Sequence, residues 1–246
     1  MQVNPKILKQ KFEKSMPKYN ENAVVQKEMA QILIDNLIEQ FGNEFPNILE
    51  LGCGTGVLTS LILEKMNYKR LACNDIIKKS SKYLDDLGVV CEFIDGNSCR
   101  IKPNFSSNLI ISNAMFQWYS SLDEPLEHFS RLLDKDGVLA FSSFSKNNFR
   151  EIKDAMGISL NYLSIDEIRQ VLEKKFNIIC VFEYEKVLEF ANPLELLAHL
   201  KNTGVNSLNK EKMSFNDVKA FCEKISNDAG FCSLTYNPLF VIAKKK

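Results

Sequence analysis

The sequence predicts an α/β fold: a seven-stranded, mostly parallel sheet with helices on both faces and a helical cap insert between the last two strands. Three observations predict it. Short apolar runs alternate with helical stretches over residues 45–145, the rhythm of strand–helix–strand units that build parallel sheets. The first run ends in the glycine-rich turn Gly52-Cys53-Gly54-Thr55-Gly56, which opens a helix. Beyond residue 176 the rhythm changes to two longer strand-like runs that flank the helical stretch 191–230.

The elements follow in order. Residues 6–41 read as helical, with Met29, Leu33, Leu37 and Phe41 recurring every four residues and Ile32 on the same flank. Pro17 and Asn20 place a break near residues 16–22. Asn47–Leu51 is the first strand, 57–66 a helix, Arg70–Asn74 the second strand, 77–87 a helix and Val89–Ile94 the third strand. Leu109–Ser112 is the fourth strand, followed by a helix over 122–133, a turn at Asp134–Gly137 and a fifth strand, Val138–Phe144. Helices are expected over 147–157 and 164–175, the second capped by Ser164 with Asp166 and Glu167 in its first turn. Phe176–Phe190 reads as one long strand and Leu234–Ala243 as another, with helices at Pro193–Lys201 and Ser214–Ala229 between them. If the two strands pair, the insert sits at one end of the sheet, as a lid would. The expected organisation is a single domain over 1–246, with N-terminal helices at 1–44, a core of 45–190 and 231–246, and a cap at 191–230.

Bulk properties narrow the function. Thirty-one Lys and Arg balance 31 Asp and Glu, so nothing global attracts the chain to nucleic acid. No apolar run approaches the ~20 residues needed to span a bilayer, and the N-terminus lacks a secretory signal stretch, so no membrane role and a cytoplasmic location are expected. Seven cysteines are scattered without C-x-x-C spacing and only two histidines exist, which disfavours a metal site or a disulfide framework and suggests reduced core thiols.

The chemistry is concentrated in Glu50-Leu51-Gly52-Cys53-Gly54-Thr55-Gly56. Three glycines let the backbone turn tightly and approach a ligand, and the helix that follows presents unpaired N–H groups. A dinucleotide site uses G-x-G-x-x-G to seat a pyrophosphate. Here the spacing is G-x-G-x-G, with Glu50 two residues ahead of it. An acid there suits a ligand carrying an amino group. S-adenosylmethionine, with its ammonium and sulfonium and no phosphate, fits. Asp75, at the end of the second strand, is placed for ribose hydroxyls. Asp95, at the end of the third, is placed for the adenine amino group, with Asn97 behind it.

Over residues 45–145 this constellation resembles the class I, Rossmann-like methyltransferases. A finer resemblance runs nearly end to end. Ser112-Asn113-Ala114-Met115-Phe116-Gln117-Trp118 is similar to the S-N-x-x-x-Q-W segment of the malonyl-acyl-carrier-protein O-methyltransferases of biotin synthesis. Phe12 to Tyr19 with Ala23 and Gln26, Gly137–Phe144 with Asn148–Ile152, and Leu200–Asn206 resemble further segments of that family, with Ser143 where many members carry Thr. The resemblance implies S-adenosylmethionine as donor and the carboxylate of a malonyl thioester, on acyl carrier protein or on CoA, as acceptor. It implies Tyr19, Gln26, Asn113 and Trp118 around the methionine end, and Arg150 or Lys201 as the cation that holds the carboxylate. No side chain need act as base, because a carboxyl of pKa near ~4 is already ionised. A basic rim of Lys146, Arg150, Lys153, Lys201, Lys210 and Lys212 is expected to meet the acidic carrier protein. The Asn-Pro-Pro-Tyr signature of nucleobase methyltransferases is absent. Two alternatives remain at this level: a methyltransferase for a free small acid such as trans-aconitate, and a non-catalytic donor-binding protein.

Overall fold

The computed structural model describes residues 5–204, 215–225 and 230–246. Two helices, α1 (Pro5–Asn22) and α2 (Val24–Phe41), precede the sheet. The sheet strands and their connections then run β1 (Asn47–Leu51), α3 (Val57–Lys65), β2 (Arg70–Asp75), α4 (Ser80–Asp86), β3 (Glu92–Asp95), β4 (Ser107–Ser112), α5 (Asp123–Leu132) and β5 (Leu133–Phe144). The second half contains α6 (Arg150–Met156), α7 (Ile165–Leu172), β6 (Phe176–Glu183), β7 (Lys186–Phe190), α8 (Pro193–Asn202), α9 (Phe215–Ile225), β8 (Cys232–Tyr236) and β9 (Pro238–Lys245).

Seven strands form one sheet in the order β3-β2-β1-β4-β5-β9-β6. The first five are parallel, while β9 runs antiparallel to both β5 and β6. Chain order reverses between β1 and β4, the switch point where open α/β sheets leave a crevice beyond the strands' carboxyl ends. Alternate residues along each strand feed opposite faces. Ile48, Leu109, Ile111, Ala140 and Ile242 pack with α2 residues Met29, Leu33 and Leu37. Leu49, Ile110, Leu139, Phe141 and Val241 pack with Phe129 of α5 and with Ile168 and Leu172 of α7. Burial on both faces explains why the central strands read as continuous apolar runs.

The helices keep the expected order, with shifted ends. Pro17 does not break α1; it lies exposed inside the helix, and the chain turns instead at the fully buried Ala23, with φ −81° and ψ 47°. Ser164 caps α7 through a reciprocal box with Glu167, as expected. The expected turn at Asp134–Gly137 falls inside β5, where Asp136 takes a positive φ of 65°.

The two long strands each prove to be two. β6 and β7 separate at Tyr184 and Glu185, and β8 and β9 at Asn237. The outer halves, β7 and β8, pair with each other as a separate two-stranded antiparallel sheet. Asn237 makes the corner. Its side chain donates to the Tyr184 carbonyl at 2.9 Å and accepts from Asn147 N–H at 3.2 Å, while its own N–H donates to Asn148 Oδ1 at 3.0 Å. Pro238, which has no N–H to give a ladder, starts β9 just beyond it. The β7–β8 ribbon carries α8, which packs on α1. The expected helix over 214–229 is seen as α9; its outer residues, together with Lys210, Lys212, Val205 and Asn206, lie outside the described residues. Among the described residues, no helix is long and apolar enough to cross a membrane.

Candidate active site

The crevice at the β1/β4 switch point opens into a cavity of about 1170 Å³. Its floor is the glycine turn. Gly52 N–H and Cys53 N–H both donate to the Asn74 carbonyl, at 2.8 and 3.1 Å, which hooks the end of β1 onto β2. This bend holds Gly52 at φ +71°, and a Cβ there would lie 2.8 Å from Met115 Cγ. Gly54 N–H donates to Asp75 Oδ2 at 2.8 Å, and Ile77 N–H to Asp75 Oδ1 at 2.7 Å. Asp75 therefore shapes the turn as well as facing the cavity. Its burial raises its carboxyl above the ordinary range, and the two N–H donations oppose that shift. Gly56, at φ +82°, starts α3; a Cβ on it would meet Leu87 Cδ1 at 2.5 Å, so it seats the helix against the end of α4 and does not line the cavity.

Glu50 lines the cavity from β1 and is 1% exposed. Its Oε2 accepts from Thr59 Oγ1 at 2.7 Å and from Cys73 Sγ at 3.6 Å. Burial pushes its carboxyl up to about 7, only partly opposed by those donors.

The opposite wall follows β4. Asn113 donates through Nδ2 to the Gln26 backbone carbonyl at 2.9 Å and accepts from Ser142 Oγ at 2.5 Å. Ala114, at φ +51°, and Met115 then turn the chain into the short 3-10 segment Phe116–Trp118. Gln117 Nε2 donates back to the Ala114 carbonyl at 2.6 Å, and Ser143 Oγ donates to Gln117 Oε1 at 3.4 Å. Trp118 meets Phe12 edge-to-face at 5.5 Å. Phe12, Met16 and Tyr19 carry α1 across the cavity, and Asn20 Oδ1 accepts from Thr55 Oγ1 at 2.6 Å, tying α1 to the glycine turn. Burial, and secondarily Asp75, keeps the Tyr19 phenol protonated.

Several expected site residues fall elsewhere. Asp95 stands in register with Asp75 but is exposed and off the cavity wall, because the strand ends there; Gly96 to Arg100 line the wall instead. Asn97 lines the cavity, yet its side chain accepts from Cys99 N–H at 2.9 Å and caps a 3-10 turn, so it does not back Asp95. Gln26 is buried behind Asn113, off the wall, with its Oε1 unpaired by any protein donor. Arg150 is off the wall too, because Glu185 takes its guanidinium at 2.8 Å and Glu151 at 3.6 Å. Lys201 projects from α8, exposed and off the wall. The structure thus gathers Tyr19, Glu50, Gly52, Gly54, Asp75, Asn97, Asn113 and Trp118 around one cavity and leaves Gly56, Asp95, Gln26, Arg150 and Lys201 outside its lining. The sequence reading missed Phe12, Met16 and the cations Lys9 and Arg100. The apolar i, i+4 pair Phe12 and Met16 was the available signal. Among the described residues, no cluster of His, Cys, Asp and Glu could hold a metal ion.

A second cavity of about 160 Å³ adjoins the first, sharing Gln117, Tyr119, Ser120, Ser121 and Asn161 with it and lined further in by Phe116, Phe141 and Ile168.

Residues 49–141 match the family model described as a methyltransferase domain. The chain is 34% identical over 240 residues to the malonyl-[acyl-carrier protein] O-methyltransferase of Calditerrivibrio nitroreducens, with 96% of each chain covered. This chain belongs to the malonyl-acyl-carrier-protein O-methyltransferase family. The family's Bacteroides thetaiotaomicron member is 32% identical, with 99% of each chain covered. Solved structures agree on the fold. The YcgJ protein of Bacillus subtilis superposes with a TM-score of 0.62 at 13% identity, covering 88% of this chain and 99% of that one. The N-methyltransferase NodS of Bradyrhizobium japonicum, in complex with S-adenosyl-L-homocysteine, gives 0.55 at 11%, covering 89% and 86%. The Rossmann-like class I architecture of this family member is therefore shown both by its own topology and by its neighbours.

Proposed function

We propose that this chain transfers a methyl group from S-adenosylmethionine to the free carboxylate of malonyl-acyl-carrier protein, in the cytoplasm, as one catalytic domain whose segment 191–230 is a cap. The observation that carries this reading is a cavity with a cation-friendly floor and, among the described residues, no histidine on its wall to take a proton. Glu50 and Asp75, both buried, line the floor beside the glycine turn. That charge pattern fits a nucleoside bearing ammonium and sulfonium groups, and it would repel a diphosphate. When bound, the donor supplies an electrophilic methyl group on sulfur.

Each wall residue then has a role in the reading. Asp75 faces the ribose hydroxyls and Gly96–Cys99 face the base. Glu50 and Asn113 face the methionine end, and Tyr19, Phe12 and Trp118 close over the reacting atoms and exclude water. Neither histidine lines the cavity: His128 bonds the Ile101 carbonyl at 3.1 Å and His199 the Tyr236 hydroxyl at 2.7 Å. A carboxylate acceptor needs no such base, since it attacks as the anion and releases no proton. Gln117, Ser120, Ser121 and Asn161 at the junction with the second cavity offer neutral hydrogen bonds. Such donors orient a carboxylate without quenching it as a tight ion pair would.

The test is mass analysis of malonyl-acyl-carrier protein after incubation with enzyme and donor. One added methyl on the acyl group, released by mild ester hydrolysis, is expected. Methylation of trans-aconitate but not of the malonyl thioester would overturn the reading.

A further inference from the structure

The cations expected to receive an acidic carrier protein lay on the cap side, and the structure neutralises two of them. Lys146 pairs with Glu167 at 3.0 Å and Arg150 with Glu185 at 2.8 Å. Lysine is concentrated instead on α1 and at the start of α4. α1 carries Lys6, Lys9, Lys11, Lys14 and Lys18 against Glu13 and Glu21. The segment entering α4 adds Lys78, Lys79 and Lys82, with no acid before Asp85. The whole chain is neutral, so this is a local excess and not a global bias.

The two segments form one surface. Lys79 reaches Glu13 at 2.7 Å, joining the start of α4 to α1. Both segments also form the cavity's rim: Leu8, Lys9 and Phe12 of α1 line it, as do Ile76 and Ile77 just before Lys78. Lys14, Lys18, Lys78 and Lys82 remain exposed to solvent.

We propose that the lysine-rich face of α1 and the start of α4 is the docking surface for the acidic carrier protein, a proposal that rests on the carrier-thioester reading above. An acidic helical partner seated there has its thioester arm beside the mouth, with Lys9 on the wall that the arm passes. The attraction acts on the protein portion of the substrate and not on the malonyl group. It therefore governs encounter and affinity and leaves the methyl-transfer step unchanged.

Lys14→Glu/Lys18→Glu/Lys78→Glu tests it, since none of these three residues lines the cavity. Two substrates are compared: malonyl carrier protein, and the malonyl thioester of N-acetylcysteamine, which has neither protein nor phosphate. The triple variant is expected to raise KM for the carrier substrate by roughly tenfold or more, with values for the small thioester within about twofold of wild type. Lys146→Glu/Lys153→Glu on the cap side is expected to leave both substrates within about twofold. An unchanged carrier KM, an equal rise for both substrates, or a larger effect from the cap variant would overturn the surface. The corresponding Lys→Gln triple, with a smaller shift, guards against misfolding. Calorimetric titration with holo carrier protein at two salt concentrations separates this surface from the activity. If wild type methylates neither thioester, the functional reading fails, while salt-sensitive binding lost in the triple variant still supports the surface and its absence overturns it. Equal affinity for a DNA duplex, lost by the same reversal, would also overturn it.

Discussion

Glu50 is a carboxylate with almost no access to water, held beside a second buried acid, Asp75. Its carboxyl, moved by burial from 4.5 to about 7, ties folding to pH. Below the ordinary carboxyl range both folded and unfolded chains hold the proton, and there is no penalty. As the pH rises from the ordinary carboxyl value of 4.5 toward about 7 the unfolded chain ionises and the folded chain resists, so stability is lost across that window and levels off above about 7. Glu50→Gln removes the conflict. Its melting temperature without donor is expected to exceed wild type near about pH 8, with the gap shrinking as the pH falls toward about 5. The same substitution removes the charge proposed to face the donor's ammonium, so donor affinity is expected to fall by roughly tenfold near neutral pH, the scale of one charge-assisted contact. Stability up and affinity down is the signature of a residue kept for binding. A melting temperature lowered at every pH would show that Thr59 and Cys73 depend on the carboxylate instead. Glu50 and the glycines were legible in the sequence because their spacing is local. Asp95 was placed on the wall, where the adjacent Gly96 stands instead, because the strand's end decides which of the two turns inward, and that end is set by pairing with β2.

At the scale of elements, the strands and their parallel sense were legible wherever apolar periodicity is a local property, from β1 to β5. The errors lie at corners. Tyr184 and Asn237 sit inside runs that read as single strands, and only their mutual contact shows that both runs bend at one point. An Asn followed by Pro within an otherwise apolar strand was the overlooked cue. The same blindness explains α1: Pro17 suggested a break, but an inward stripe of buried Ser15 and Met16 with half-buried Phe12 and Tyr19 carries the helix past it. If the Asn237 side chain holds the corner, Asn237→Ala loses two hydrogen bonds and strands the Tyr184 carbonyl, a cost of about 2 kcal/mol. Urea unfolding measures it. A loss below ~0.5 kcal/mol would mean that Pro238 and the packing of β9 hold the bend without the side chain.

For the whole molecule, α1 is the element that connects regions otherwise far apart. It touches the glycine turn through Asn20 and Thr55, the start of α4 through Glu13 and Lys79, the β4 wall through Phe12 and Trp118, and the proposed cap through α8. The last contact is close: Gly204, at φ +76°, abuts Phe12, and a Cβ there would lie 2.9 Å from the ring. Asn202 adds a hydrogen bond to Asn22 at 3.3 Å. The segment Pro193–Gly204 therefore supports the cavity from outside by pressing on the helix that walls it. Gly204→Val strains the backbone and drives a side chain into Phe12. Trp118 is the only tryptophan in the chain, so its emission reports on that wall alone. The variant is expected to shift the emission to the red, as Phe12 leaves the indole and water enters, and to weaken donor binding by roughly tenfold from a residue that touches no donor. Equilibrium titration of the fluorescence measures both in one sample. A red shift with unchanged donor affinity would show that α1 shields the indole without shaping the cavity, and would confine the cap's influence to the acceptor side.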